Sequence, residues 1–177
     1  MLKHKIMKNK KYTGKLISVK FTDRKNTVVG FVIDSNEDWT LLKYNTVDYI
    51  MDGYIIFPHK NIEEIKRGNE EKFIEKVIKL KGITPSSKEG IPITDLTAIL
   101  KYLTKKFGLF QFYTKSEKSC YIGKINSIDD KTLVLDFLDP KGKWDGKMNF
   151  KLSEIREIEF DTDYLRSLKL ISKMKTK

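Results

Sequence analysis

LISVKFTDRKNTVVGFVIDSNEDWTLLKYNTVDYIMDGYIIFPHKNIEEI (residues 16–65) decides the architecture once it is laid against LFQFYTKSEKSCYIGKINSIDDKTLVLDFLDPKGKWDGKMNFKLSEIREI (residues 109–158). The two stretches align without a gap at an offset of 93 residues. Leu16 falls on Leu109, Gly30 on Gly123, Asp52-Gly53 on Asp145-Gly146 and Phe57 on Phe150. Ile62, Glu64 and Ile65 fall on Ile155, Glu157 and Ile158. Few side chains are identical, but the apolar spacing and the glycines coincide. A repeat of fixed period constrains the architecture more than any single motif does.

Each copy alternates apolar and polar residues, the pattern of half-buried strands. Thr40, Leu42 and Tyr44, with Leu133, Leu135 and Phe137, form the more apolar set and are expected to face a core. Trp39, Leu41 and Lys43, with Thr132, Val134 and Asp136, are expected to face out. Ile55/Met148 and Phe57/Phe150 are expected in, and Tyr54/Lys147 and Ile56/Asn149 out. Residues 34–38 and 127–131 are turn-rich, Asp52-Gly53 and Asp145-Gly146 suit tight hairpin turns, and Pro140-Lys141-Gly142 adds a turn in the second copy. This predicts strands at about 13–22, 27–34, 39–46, 53–59 and 63–66, with counterparts in the second copy. Five short antiparallel strands bury one core most simply by bending into a small barrel, which also removes their edges.

A helix is expected after each barrel. Asn69 would cap the first, Phe73, Val77 and Leu80 would form its apolar stripe, and Gly82 would end it. Asp161 or Thr162 would cap the second, with Tyr164, Leu165, Leu168 and Ile171 as its stripe. Both stripes are expected to pack on their own barrel. Residues 83–92 read as a linker, and Leu96, Ile99, Leu100 and Leu103 place a further helix over about 95–106. The expected organisation is a basic tail (1–11), a barrel with its helix (12–82), linker and helix (83–107), a second barrel with its helix (108–172) and a basic tail (173–177). The fold class is mainly β with α: two tandem five-stranded barrels, each followed by a helix, with an extra helix before the second.

The 177 residues carry a net charge of +11, and hydrophobic residues make up 40%, enough for a folded core rather than a disordered chain. The charge is uneven. Residues 1–20 hold seven lysines and no acid, residues 166–177 hold five basic residues and no acid, and the rest sums to −1. Affinity for a polyanion follows clustered charge rather than pI. The basic ends therefore nominate Lys5, Lys8, Lys10, Lys11, Lys173 and Lys175 as nucleic-acid contacts, against the plainer reading of solvated tails. No run reaches the apolar length of a membrane span. The N-terminal lysines are followed by no apolar stretch, so no secretory signal is expected, and the lone Cys120 fits a cytoplasmic protein.

Little in the sequence points to catalysis. His4 and His59 are too far apart for a zinc site, and one cysteine excludes a cysteine cluster. His59 reads as a surface or structural residue, and Cys120 as a buried or half-buried structural thiol. Asp161-Thr162-Asp163 lacks the spacing of a calcium loop, and acids at a helix start account for it. No glycine-rich phosphate loop is present. No metal or cofactor is expected, and no enzyme. Trp39 and Trp144 are candidate partner-binding residues, since exposed tryptophans stack bases or anchor peptides.

Tyr121-Ile122-Gly123-Lys124-Ile125, Asp129-Asp130, Leu133-Val134-Leu135 and Ile155-Arg156-Glu157-Ile158, preceded by the helix at 95–106, resemble the Sm-like class of small barrels within the SH3-like group. The resemblance covers each copy and implies two tandem small barrels with RNA among their ligands. Thr132 and Leu133 stand where that class carries the asparagine of its RNA loop. Lys151-Leu152-Ser153 stands where it carries an Arg-Gly pair. The expected function is a non-enzymatic binding module for RNA. The alternative is a protein–protein adaptor or structural protein, bound to another protein through barrel edges and helices.

Overall fold

The structure is a computed structural model that describes residues 11–84, 90–115 and 119–174. It divides into two units, Met1–Ile93 and Thr94–Lys177. In the first, β1 (Leu16–Phe21), β2 (Val28–Ser35), β3 (Trp39–Val47), β4 (Ile50–Pro58) and β5 (Ile62–Lys66) precede α1 (Asn69–Leu80). In the second, α2 (Leu96–Lys106) leads into β6 (Phe110–Tyr113), β7 (Cys120–Ile128), β8 (Thr132–Leu138), β9 (Trp144–Lys151), a 3₁₀ turn (Leu152–Glu154), β10 (Glu157–Phe160) and α3 (Asp163–Met174). The chain is mainly β with α, as expected. Both units carry five antiparallel strands and then a helix.

The expectation of two separate five-stranded barrels is corrected. The strands run in the order β5-β1-β2-β3-β4 in the first unit and β10-β6-β7-β8-β9 in the second, each an open run. Within the first unit β5 pairs with β1 and lies at the opposite end from β4; within the second, β10 pairs with β6 and lies opposite β9. Neither run of five closes on itself. Each is nonetheless strongly curled. Phe21 of β1 and Phe57 of β4 would stand about 14 Å apart across three flat strand spacings, yet their ring centroids are 5.2 Å apart. Phe112 of β6 and Phe150 of β9 approach to 4.9 Å in the same way. The inner face of the first curl holds Ile17, Val19, Val28, Val32, Leu42 and Ile55 beside that ring pair. The outer face is buried in part by α1, through Leu16, Phe31 and Ile78. Helix cover on one face and curl on the other bury both without closure, which is why the strand pattern alone suggested a barrel.

The glycines shared by the two copies do two different jobs. A Cβ on Gly30 would stand 2.4 Å from the Lys43 carbonyl oxygen of the neighbouring strand, and one on Gly123 would stand 2.0 Å from that of Asp136. Only glycine allows that approach. Gly53 and Gly146 adopt φ of 62° and 79°. They are not the expected hairpin turns. Both lie inside strands, β4 and β9, whose ladders with β3 and β8 shift register nearby, so they serve as bulges. The turn between β3 and β4 is Asp48-Tyr49, with Asp48 at φ 47°, and this is why β4 begins earlier than predicted.

Three further expectations are corrected. Leu41 and Ile56, assigned outward, are both buried, and they are cross-strand partners. Their counterparts Val134 and Asn149 are half-buried and exposed. The apolar stripe of α1 does not pack inward: Phe73 is 57% and Leu80 77% exposed, and the buried positions are Glu71, Glu75 and Ile78. In α3, Leu165 and Leu168 pack inward with Leu109, Ile122 and Leu138, while Tyr164 and Ile171 stay exposed. Among the described residues no helix is long and apolar enough to cross a membrane.

Candidate functional site

The outward face of β7, β8 and β9 carries the best candidate. Strand alternation sets Lys124, Asp136 and Lys147 in one cross-strand row, since Lys124 pairs with Asp136 and Asp136 with Lys147. Asn126 donates from Nδ2 to Asp136 Oδ1 at 2.9 Å, steadying the carboxylate between the two lysines. Trp144 opens β9 directly after the turn that Asp139 organises, where its Oδ1 accepts the amides of Lys141 and Lys143 at 2.8 Å each. That turn holds Trp144 at the end of the strand, 38% exposed, with Lys124 Nζ 4.8 Å from its ring centroid. Gly146 leaves open space where a side chain would stand. Together Lys124, Asp136, Trp144, Gly146 and Lys147 line a shallow cleft of about 300 Å³. Its chemistry is an aromatic platform beside two ammonium groups and one carboxylate, which suits stacking and anion contact rather than bond-making.

The corresponding face of the first unit is different. Phe31 stands where Lys124 does and is fully buried, while Lys43 Nζ lies 4.2 Å from the Tyr54 ring where the second unit has Asp136 and Lys147. Trp39 is half-buried, with its amide on Asn36 Oδ1 at 2.8 Å. Lys11 Nζ stands 5.3 Å from the Tyr12 ring, and Lys173 is exposed in the last turn of α3. Lys5, Lys8, Lys10 and Lys175 lie outside the described residues. The sequence reading found Trp144 but passed over Lys124 and Lys147, because the lysine-rich ends dominated the charge count. The signal was present: both lysines replace aromatic residues of the first copy, Phe31 and Tyr54, at outward positions.

The buried carboxylates Glu75 and Glu71 are structural. Glu75 sits 8% exposed on α1 and closes the end of β1. Its Oε2 accepts the Leu16 amide at 2.9 Å and Arg67 Nη1 at 2.6 Å, while Oε1 accepts Lys79 Nζ at 2.6 Å. Arg67 Nη1 also donates to the Leu16 carbonyl at 2.7 Å. β5 reaches only as far as Ser18 on β1, so this side-chain pair takes up the Leu16 backbone groups past its end. Burial pushes the Glu75 pKa up, but the bonds from Lys79, Arg67 and Leu16 outweigh it and hold the carboxyl at about 2. Glu71 accepts Ser18 Oγ and the Gly68 amide, each at 2.7 Å. Burial opposes ionisation there too, and those bonds lower its pKa overall.

His59 is buried. Its Nδ1–H donates to the Glu37 carbonyl at 2.8 Å, and its Nε2 lies 2.8 Å from Thr40 Oγ1, with Ser35 Oγ 3.1 Å beyond. This chain resembles a hydroxyl–imidazole relay, but Thr40 is fully buried and reaches no substrate. It clamps the β2–β3 turn to the end of β4. Cys120 is exposed, contrary to the expected burial, and partial desolvation followed by the nearby Glu159 charge raises its pKa, which suppresses the thiolate. Among the described residues no group of three His, Cys, Asp or Glu side chains is arranged to hold a metal.

No family model, curated protein or solved structure matches the chain at a significant level.

Proposed function

We propose that the chain is a non-enzymatic binding module, and that the β7–β9 face of its second unit takes single-stranded RNA. The observation that carries this reading is the exposed Trp144 ring, with Lys124 Nζ 4.8 Å from its centroid, in an open cleft that Lys147 also lines. A base stacks on the indole in place of the Lys124 ammonium, and the displaced lysine then meets a backbone phosphate with Lys147. Asp136 and Asn126 offer an acceptor and a donor to base edges but repel a second phosphate, so one nucleotide fits the cleft. The basic ends add sequence-independent attraction. A cytoplasmic location belongs to this reading and rests on the single thiol.

The test uses Trp144 itself. In a Trp39→Phe background its fluorescence should quench on titration with oligouridylate, and the affinity should fall steeply with added salt. Lys124→Glu and Lys147→Glu should each weaken binding and flatten that salt dependence. Quenching that survives both substitutions, or binding that ignores salt, overturns the reading; the latter outcome favours a protein partner on the same face.

A further inference from the structure

Helix α1 is mounted in reverse. Its inward side carries Glu71, Glu75 and Ile78, with Ile74 packed beside them, while Phe73 and Leu80 of its apolar ridge are largely exposed and Val77 is half-buried. The mounting is fixed. Rolling the helix to bury Phe73 would break the bonds of Glu75 to Leu16 and Arg67 and that of Glu71 to Ser18. One flank of the ridge is cationic. Lys72, Lys76 and Lys79 recur at helical spacing, and with Arg67, Glu75 and Leu80 they line an open cleft of about 470 Å³ beside the ridge. At the other flank Tyr49 sets its ring edge on Phe73 at 6.3 Å, and Lys81 Nζ donates to the Tyr49 carbonyl at 3.0 Å. Tyr49 lies in the β3–β4 turn between the exposed Val47 and Ile50.

We propose that α1 is an interfacial contact for an anionic lipid bilayer, with Phe73, Val77 and Leu80 entering the acyl boundary and Lys72, Lys76 and Lys79 meeting headgroup phosphates. Charge complementarity selects this occupant. A second copy of the same face would set lysine against lysine across the contact. An anionic bilayer is a continuous surface that receives an apolar ridge and a lysine flank in the same plane. One short helix gives weak, reversible anchoring, and the net charge of +11 adds a general attraction to an anionic surface.

Vesicle flotation of the full-length protein tests this. Wild type should float with vesicles of phosphatidylcholine mixed with phosphatidylserine and not with phosphatidylcholine alone. The double variant Phe73→Ser/Leu80→Ser, altered only at exposed positions, should keep its circular dichroism and lose about tenfold in partitioning. Lys72→Glu/Lys76→Glu should lose a similar factor. Trp144→Ala should float as wild type does, which separates this surface from the nucleic-acid face. Failure of wild type to float, including the case in which it binds an acidic protein there instead, overturns the proposal. Equal flotation of the serine double variant also overturns it, since the net charge alone would then account for binding.

Discussion

The two C-terminal helices of the repeated units occupy equivalent places in sequence but differ in what the two matching inward positions contribute to their attachment. α3 is held by Leu165 and Leu168 against Leu109, Ile122 and Leu138. α1 carries Lys72 and Glu75 at the same two positions, and adds to the packing of Ile78 and Ile74 on Leu16 and Phe31 the charge-assisted bonds of Glu75 and Glu71 to Arg67, Lys79, Ser18 and the Leu16 amide. The polar attachment fixes one rotation of the helix, because a carboxylate with three aligned donors has a single good position. The apolar attachment tolerates neighbouring rotations. The first unit therefore holds Phe73 and Leu80 largely in water while Ile78 stays buried.

The largest effect follows from removing the acceptor. Glu75→Ala leaves the Arg67 charge mostly buried without its carboxylate and the Leu16 amide without a partner. The expected cost is about 4 kcal/mol of first-unit stability. Each unit carries one tryptophan, so urea unfolding followed by Trp39 in a Trp144→Phe background reads the first unit by itself. An unchanged midpoint would mean that Ile78 and Ile74 seat α1 without it.

Acid should distinguish the units next. The Glu75 carboxyl titrates near 4.5 when unfolded and at about 2 when folded. The unfolded state therefore binds the proton first, and the stability this group contributes is complete above pH 4.5 and lost as pH falls toward 2. That gap amounts to about 3 kcal/mol. The lowered pKa of Glu71 acts in the same direction. Trp39 fluorescence should report first-unit destabilisation over this window, and Glu75→Leu should remove most of the slope. The apolar seat of α3 predicts no matching slope from Leu165 or Leu168 in the second unit.

Leu168→Ala tests the other side of the comparison. It removes a 2% exposed side chain from a small cluster, at an expected cost of about 2 kcal/mol. The loss should be the same at pH 7 and in acid, read through Trp144 in a Trp39→Phe background. A pH-dependent loss would show that the Leu168 seat is coupled to a titrating group, beyond the bond of Lys169 to the Phe107 carbonyl.

These differences explain what could be read in advance. The strands and Gly30/Gly123 were legible because both copies repeat their spacing, and a position where a Cβ strikes a backbone carbonyl must stay glycine in both. Asp52-Gly53 was misread because a bulge and a tight turn make the same demand for positive φ. Closure was misread because β5 satisfies the same alternation whether or not β4 joins it in its own unit. The seat of α1 was hidden more deeply. Hydrophobicity ranks Phe73 above Glu75, and only the tertiary placement of Arg67 and the Leu16 amide reverses the order. Of the candidate site, Trp144 was visible as an aromatic in a turn, whereas Lys124 and Lys147 gain meaning only when register places them in one row.

The smallest effect is the most direct test of that reversal. If Phe73 were a core residue, as its spacing with Val77 and Leu80 suggests, Phe73→Ser would cost about 3–5 kcal/mol and unseat the helix. As placed, the ring loses only its edge contact with Tyr49, so the expected cost is below about 1 kcal/mol. The side chain already faces water in large part, so little apolar burial is lost. Trp39-monitored unfolding should give midpoints for Phe73→Ser and wild type that nearly coincide. A large loss would return α1 to the orientation its sequence advertises, with Phe73 inward and the carboxylates in solvent. The acid slope assigned to Glu75 would then vanish as well, so the two measurements must agree on which face of the helix meets the sheet.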